Sequence, residues 1–222
     1  MNSAPMRIAV LVSGSGSNLQ SLIDRCADGT IPAEIVLVVS NKPGVYGLER
    51  AEKSGIKTQV VQHGAFPDRA AFDQELIRVL DAAEVNLVCL AGFMRILTAE
   101  FVRHFTGRLL NIHPALLPNF PGLGVQQAAI DAGVRFSGCT VHFVDEGVDT
   151  GPIIAQAVVP ILDGDDAKTL GARILKQEHQ IYPLSVRLFA EGRLKLEGRR
   201  VRIDAPTDET PEAAIINPAP TC

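Results

Sequence analysis

The run Arg108-Leu109-Leu110-Asn111-Ile112-His113-Pro114 holds two residue types that together make a small acid/base site. The carboxamide of Asn111 offers an N–H donor, and the imidazole of His113 carries a proton near neutral pH. Two positions apart, they point to the same face of a strand. Pro114 closes the run, because proline cannot donate to a ladder and forces His113 towards extended geometry. Open α/β sheets bind ligands at the carboxyl ends of their strands, and there such a pair suits proton transfer beside a developing oxyanion. The spacing equally fits an Asn and a His that bond to each other and cap a strand, and spacing alone does not choose between the two.

Three further stretches carry chemistry. Ser13-Gly14-Ser15-Gly16-Ser17-Asn18 joins an apolar run to a helical pattern, so backbone N–H groups and a positive helix terminus converge there, as an anion such as phosphate requires. It lacks the Gly-Lys-Ser/Thr ending of a Walker loop, and Leu19 stands where G-x-G-x-x-G needs its last glycine, which points to a monophosphate rather than a dinucleotide. A tight turn with Ser17 or Asn18 as helix N-cap is the structural alternative. Asp145-Glu146-Gly147-Val148-Asp149 crowds three acids into one turn, where repulsion asks for a facing cation; plain surface solubility explains the composition as well. Gly92-Phe93-Met94-Arg95-Ile96-Leu97 is unusually apolar for a strand's exit loop, and fits either packing or the wall of a pocket for a flat aromatic ligand.

The elements that must position these groups alternate. Residues 7–12, 35–39, 58–61, 85–91 and 108–113 read as strands, and 19–26, 47–54, 68–80 and 98–104 as the helices between them. Such βαβ succession predicts a single α/β, Rossmann-like domain with a predominantly parallel twisted sheet. A short helix at 126–132, strands at 137–144 and 152–161, a long helical pattern at 167–191 interrupted by Pro183, and a terminal hairpin around Glu197-Gly198 follow, so antiparallel additions are expected towards the C-terminus. Within the long pattern Glu178 and Tyr182 share a face. The domain is expected to span 1–203, with a disordered tail at 204–222 that is rich in Pro, Thr and Ala.

With 222 residues, 46% hydrophobic and 21% charged, the chain is of ordinary soluble composition. A net charge of -4 without a basic block speaks against a nucleic-acid partner. No apolar run approaches the roughly 20 residues of a membrane span. Cys26, Cys89, Cys139 and Cys222 show no C-x-x-C spacing, so neither a metal site nor a disulfide is expected, and a reducing cytoplasm is the natural home. Oligomeric state is not legible.

Taken in order, Ser13-Gly14-Ser15-Gly16-Ser17-Asn18, Leu90-Ala91-Gly92-Phe93-Met94-Arg95-Ile96-Leu97, Asn111-Ile112-His113-Pro114 with Leu116-Leu117-Pro118, Val141-His142-Phe143-Val144 leading to Asp149-Thr150-Gly151-Pro152, and Gln177-Glu178-His179 with Tyr182-Pro183 resemble the phosphoribosylglycinamide formyltransferase family. The resemblance runs from about Arg7 to about Lys195. It implies transfer of the formyl group of 10-formyltetrahydrofolate, a co-substrate, to the amine of glycinamide ribonucleotide in purine synthesis, without a metal. By the same resemblance Asn111 donates to the formyl oxygen, His113 carries the proton, and an ionised Asp149 faces His113. Gly16, Ser17, Asn18 and Leu19 hold the ribonucleotide phosphate, and Lys176, Gln177 and Glu178 meet its glycinamide end. Arg69, Met94, Arg95, Ile96, Leu97 and Asn111 line the folate pocket, closed by Asp145, Glu146, Gly147, Val148 and Asp149. The substrate amine attacks directly, so no enzyme nucleophile is needed.

The chain departs from the family at Gly124-Val125-Gln126-Gln127, where relatives often carry His and basic residues; this loop's ligand contacts therefore do not carry over. A formyltetrahydrofolate deformylase, with water as acceptor, shares the resemblance in the catalytic trio. A non-catalytic nucleotide-binding module would explain the Gly-rich turn but has no need of Asn111, His113 and Asp149.

Overall fold

The computed structural model describes residues 5–204. In chain order the elements are β1 (Met6–Val12), α1 (Ser17–Ala27), β2 (Ala33–Ser40), α2 (Tyr46–Lys53), β3 (Thr58–Val60), α3 (Arg69–Ala82), β4 (Leu87–Leu90), α4 (Ala99–His104), β5 (Leu109–His113), α5 (Val125–Asp131), β6 (Phe136–Phe143), β7 (Ile153–Pro160), α6 (Ala167–Ala190), β8 (Leu194–Glu197) and β9 (Arg200–Ile203). The strands form one sheet in the order β3-β2-β1-β4-β5-β6-β7-β9-β8. The first five are parallel, and β6 runs antiparallel to both β5 and β7. The expected α/β class with antiparallel additions is what the chain adopts.

Alternation along β1 builds two cores. Ile8, Val10 and Val12 face a cluster with Leu19 and Leu22 of α1, Leu48 of α2, and Ile174, Tyr182 and Val186 of α6. Ala9 and Leu11 face the other cluster, with Phe72, Leu76 and Leu80 of α3 and Phe101 and Phe105 of α4. Both faces are covered, which is why these strands read as continuous apolar runs instead of alternating ones. Helix α6 departs from the expected interruption: it runs unbroken through Pro183. Proline sacrifices one N–H bond and crowds the preceding turn, but Tyr182, Val186 and Leu188 around it are buried against the sheet and hold the helix together. The Tyr182 hydroxyl also reaches the carbonyls of Leu90 (2.9 Å) and Leu110 (3.3 Å), fastening α6 to the ends of β4 and the middle of β5.

Asp204, placed in the tail by its sequence, is tied in: its N–H donates to the Arg193 carbonyl and its carboxylate meets Lys195. The rest of the expected tail, 205–222 with Cys222, lies outside the described residues.

Candidate active site

Strand order reverses between β1 and β4, because β1 continues outward to β2 while β4 continues the other way to β5. Ligands of open α/β sheets bind in the crevice at such a switch point. Here the crevice is a cleft of about 190 Å³ lined by residues 13–18 from the β1 exit and by Ala91, Gly92 and Met94 from the β4 exit.

Gly16 opens α1 in the left-handed region (φ 67), and no side chain caps the helix, so neither Ser17 nor Asn18 is an N-cap. The first N–H groups of α1 are thus left for another acceptor. A Cβ at Gly16 would come within 2.6 Å of the Gly47 Cα, so only glycine allows α1 and α2 to approach here. Arg50 of α2 donates from Nε to the Ser15 carbonyl (2.9 Å), bracing the turn from behind. Asn18 instead turns its side chain to α6 and donates from Nδ2 to Glu178 Oε2 at 2.6 Å. Burial of Glu178 pushes its carboxyl up, only partly offset by that bond. Asn18 Oδ1 is buried and has no partner.

Asn111 and His113 lie on β5 opposite His142 and Thr140 of β6. Asp149 reaches them from the β6–β7 loop: its Oδ2 lies 3.3 Å from His113 Nδ1, and its Oδ1 lies 3.5 Å from Asn111 Nδ2 and 3.7 Å from His142 Nε2. The Gly122 N–H also donates to Asp149 Oδ2 (2.9 Å). His113 Nε2–H donates to the Phe120 carbonyl at 2.9 Å. The His113 ring thus has an oxygen beside each nitrogen, the Phe120 carbonyl at Nε2 and the Asp149 carboxylate at Nδ1. His142 donates from Nδ1 to the Phe143 carbonyl (2.8 Å), and its Nε2 lies 3.2 Å from Asn111 Nδ2.

Burial pushes the Asp149 carboxyl up, but the His142 contact, the Gly122 N–H and the charges of His113 and His142 outweigh it and hold the carboxyl below its ordinary value. Asp149 and Phe120, the two residues that grip His113, both adopt positive φ (54 in each). For residues other than glycine this conformation is uncommon and concentrates at functional sites. Burial pushes the Cys26 thiol up to about 11 and that of Cys139 up to about 12, and Cys89 higher still. Among the described residues no group of three or more His, Cys, Asp or Glu could hold a metal ion, and no helix is long and apolar enough to cross a membrane.

Asn111, His113 and Asp149 are therefore brought together, and Gly16, Ser17 and Asn18 line the cleft beside Met94. Arg69 is the exposed first residue of α3, and Met94 and Ile96 project outward from the β4 exit loop. In the acidic loop, Glu146 meets Arg103 of α4 (3.0 Å) and Asp145 holds the Thr150 hydroxyl (2.6 Å). The side chain of Lys176 is not brought in: it is exposed, two residues and hence about 200° round α6 from Glu178. Sequence reasoning gave no role to His142, the Phe120 carbonyl or the Gly122 N–H. A histidine in the otherwise apolar run Val141-His142-Phe143-Val144 was the available signal for the first.

Residues 6–186 match the family model described as Formyl transferase. The chain is 48% identical over 199 residues to the phosphoribosylglycinamide formyltransferase of Escherichia coli (strain K12), covering 90% of this chain and 94% of that protein. It is 57% identical over 204 residues to the trifunctional purine biosynthetic protein adenosine-3 of Drosophila pseudoobscura pseudoobscura, 91% of this chain but only 15% of that protein. Glycinamide ribonucleotide transformylase 1 of Symbiobacterium toebii superposes with a TM-score of 0.88 at 53% identity, over 90% of this chain and 94% of that one. A formyltetrahydrofolate deformylase from Pseudomonas syringae pv. tomato is more distant in sequence, 25% identical with a TM-score of 0.84 over 90% of this chain and 66% of that one.

Proposed function

Because this chain belongs to the formyl transferase family, we propose that it transfers the formyl group of 10-formyltetrahydrofolate to the amine of glycinamide ribonucleotide, a step of purine synthesis. The observation that carries the reading is the Asp149 carboxylate shared by Asn111 and His113, in a fold whose switch-point cleft is walled by an uncapped helix N-terminus. The free N–H groups of Ser17, Asn18 and Leu19 suit a phosphate, and Glu178 with Gln177 flanks the rest of the ribonucleotide. Arg69, Arg95 and the apolar side chains of Met94, Ile96 and Leu97 suit a flat, anionic folate, with loop 145–149 closing over it.

In the reaction the amine lone pair attacks the formyl carbon and the carbonyl electrons move to oxygen. Asn111 engages Asp149 only weakly, at 3.5 Å, so that N–H is free to donate to the new oxyanion. His113, held as the imidazolium between Asp149 and Phe120, turns its Nε2–H from the Phe120 carbonyl to the reacting centre. It gives that proton to the folate nitrogen as the oxyanion electrons re-form the carbonyl and the bond from the formyl carbon to that nitrogen breaks, and it takes the amine's proton in its place. No metal and no enzyme nucleophile enter this scheme. Both substrates are small molecules, and the free thiols Cys26, Cys89 and Cys139 suit a reducing cytoplasm.

The test is tetrahydrofolate release by the purified protein from 10-formyltetrahydrofolate with and without glycinamide ribonucleotide. Release that depends on the ribonucleotide is expected. Release without it would make the protein a deformylase, and no release at all would leave a binding module.

A further inference from the structure

The β4 exit loop exposes Met94 and Ile96 by 58% and 62%. Two buried side chains from other parts of the chain grip it near its two ends. Ser13 Oγ accepts from the Met94 N–H at 2.8 Å and donates its own proton to Asn41 Oδ1 at 2.6 Å. At the far end Asp73 of α3, 1% exposed, accepts the Thr98 N–H on Oδ2 at 2.6 Å.

Asp73 sits at an expensive place. Its neighbours on α3 are the core residues Phe72 and Leu76, and its Oδ1 is buried without a partner, as is Arg95 Nε in the loop. A buried carboxylate with one free oxygen costs stability that an apolar side chain there would not. What it secures is the loop: Thr98 caps α4 through its own Oγ1, so the Asp73 bond fixes the point where the loop becomes helix. Arg69, four residues earlier on the same face of α3, and Arg95 both lie near enough for their charges to favour the Asp73 carboxylate.

We propose that Asp73 is a positioning residue for the formyl donor: it fixes residues 94–97 against α3, with Arg69 and Arg95 flanking one carboxylate, so that the donor meets a wall already in place. This rests on the reading of 94–97 as the folate wall. Ser13 lines the ribonucleotide cleft itself, so its loss touches both substrates; Asp73 does not line it and grips the loop at Thr98, the end away from Met94, so its loss falls chiefly on the donor.

The experiment compares Asp73→Ala and Asp73→Asn with the unaltered chain, reading KM for each substrate separately and amide hydrogen exchange over 92–98. Asp73→Ala is expected to raise the donor KM by about tenfold, the scale of a lost hydrogen bond to a charged group. The ribonucleotide KM should stay within about twofold, and exchange over 92–98 should accelerate. Asp73→Asn keeps an acceptor for Thr98 and should recover most of the loss, whereas a merely structural role would lower Tm and leave the ratio of the two KM values unmoved. Should Asp73→Ala fail to fold, Thr98→Pro removes the same N–H at a backbone φ of -73 that proline accepts, with Thr98→Ala as the control that keeps it. An unaccelerated loop, or equal shifts in both KM values, would overturn the anchoring. Faster exchange with an unchanged donor KM would instead show that 94–97 is not the folate wall, and the inference would fall with that reading.

Discussion

Asp149→Asn puts a number on the central electrostatic contact. The carboxylate lies 3.3 Å from His113 Nδ1, and the two side chains are only 14% and 5% exposed, so water screens them weakly. Two unit charges at that distance attract by about 5 kcal/mol at an effective dielectric of about 20. If the desolvation that opposes it takes back about half, about 2.5 kcal/mol remains, on the order of a hundredfold in rate. That sits at the lower end of the 10²–10⁴-fold typical of a positioned acid or base, to which it is about equal. Asparagine keeps the shape and an acceptor for the Gly122 N–H, so both KM values should stay within about threefold while kcat falls about a hundredfold. Steady-state release of tetrahydrofolate in the presence of ribonucleotide measures this, and a kcat within threefold of the unaltered chain would refute the reasoning. The same carboxyl sets a pH signature. Its folded-state pKa lies below the unfolded value of about 3.9. The stability it contributes is therefore complete above that value and disappears as pH falls through the folded one. The Tm gap between Asp149→Asn and the unaltered chain should close on acidification below about pH 4.

Three other substitutions probe separate parts. Gly16→Ala places a methyl against Gly47 in a left-handed backbone, and should raise the ribonucleotide KM at least about tenfold in initial-rate assays, more than it changes the donor KM. Gly151→Ala drives a Cβ into the Phe143 carbonyl, so loop 145–149 must shift, and kcat measured on folded protein should fall about tenfold or more by displacing Asp149. Tyr182→Phe removes the hydroxyl that fastens α6 to Leu90 and Leu110, and chemical denaturation should show about 1–3 kcal/mol less stability.

The strands and the Gly-rich turn were legible because burial on both faces and backbone chemistry leave local marks, apolar runs and glycines. The Asn111–His113 pair was legible for the same reason, since strand parity is a local rule. What was not legible depended on partners far along the chain. His142 acquires its role only from the β5–β6 register that sets it opposite Asn111. Phe120 and Gly122 act through backbone atoms, which no side-chain pattern reports. Asn18 looked like a helix cap and instead spends its amide on Glu178. Pro183 reads as a break because local propensity says so, and tertiary packing overrides it.

The Asn18–Glu178 hydrogen bond joins residues 160 positions apart, and that span has a meaning for how the protein is made. The Gly-rich turn leaves the ribosome early, yet the Asn18 amide has no carboxylate to meet until α6 is synthesised and docked. Chains fold as they emerge, from the N-terminus onwards, so nascent forms that stop short of α6 carry the Gly-rich turn without the carboxylate that holds Asn18. The Asn18 side chain is thereby fixed only when the long helix docks, and a chain arrested before Glu178 holds the recognisable motif with that amide unheld.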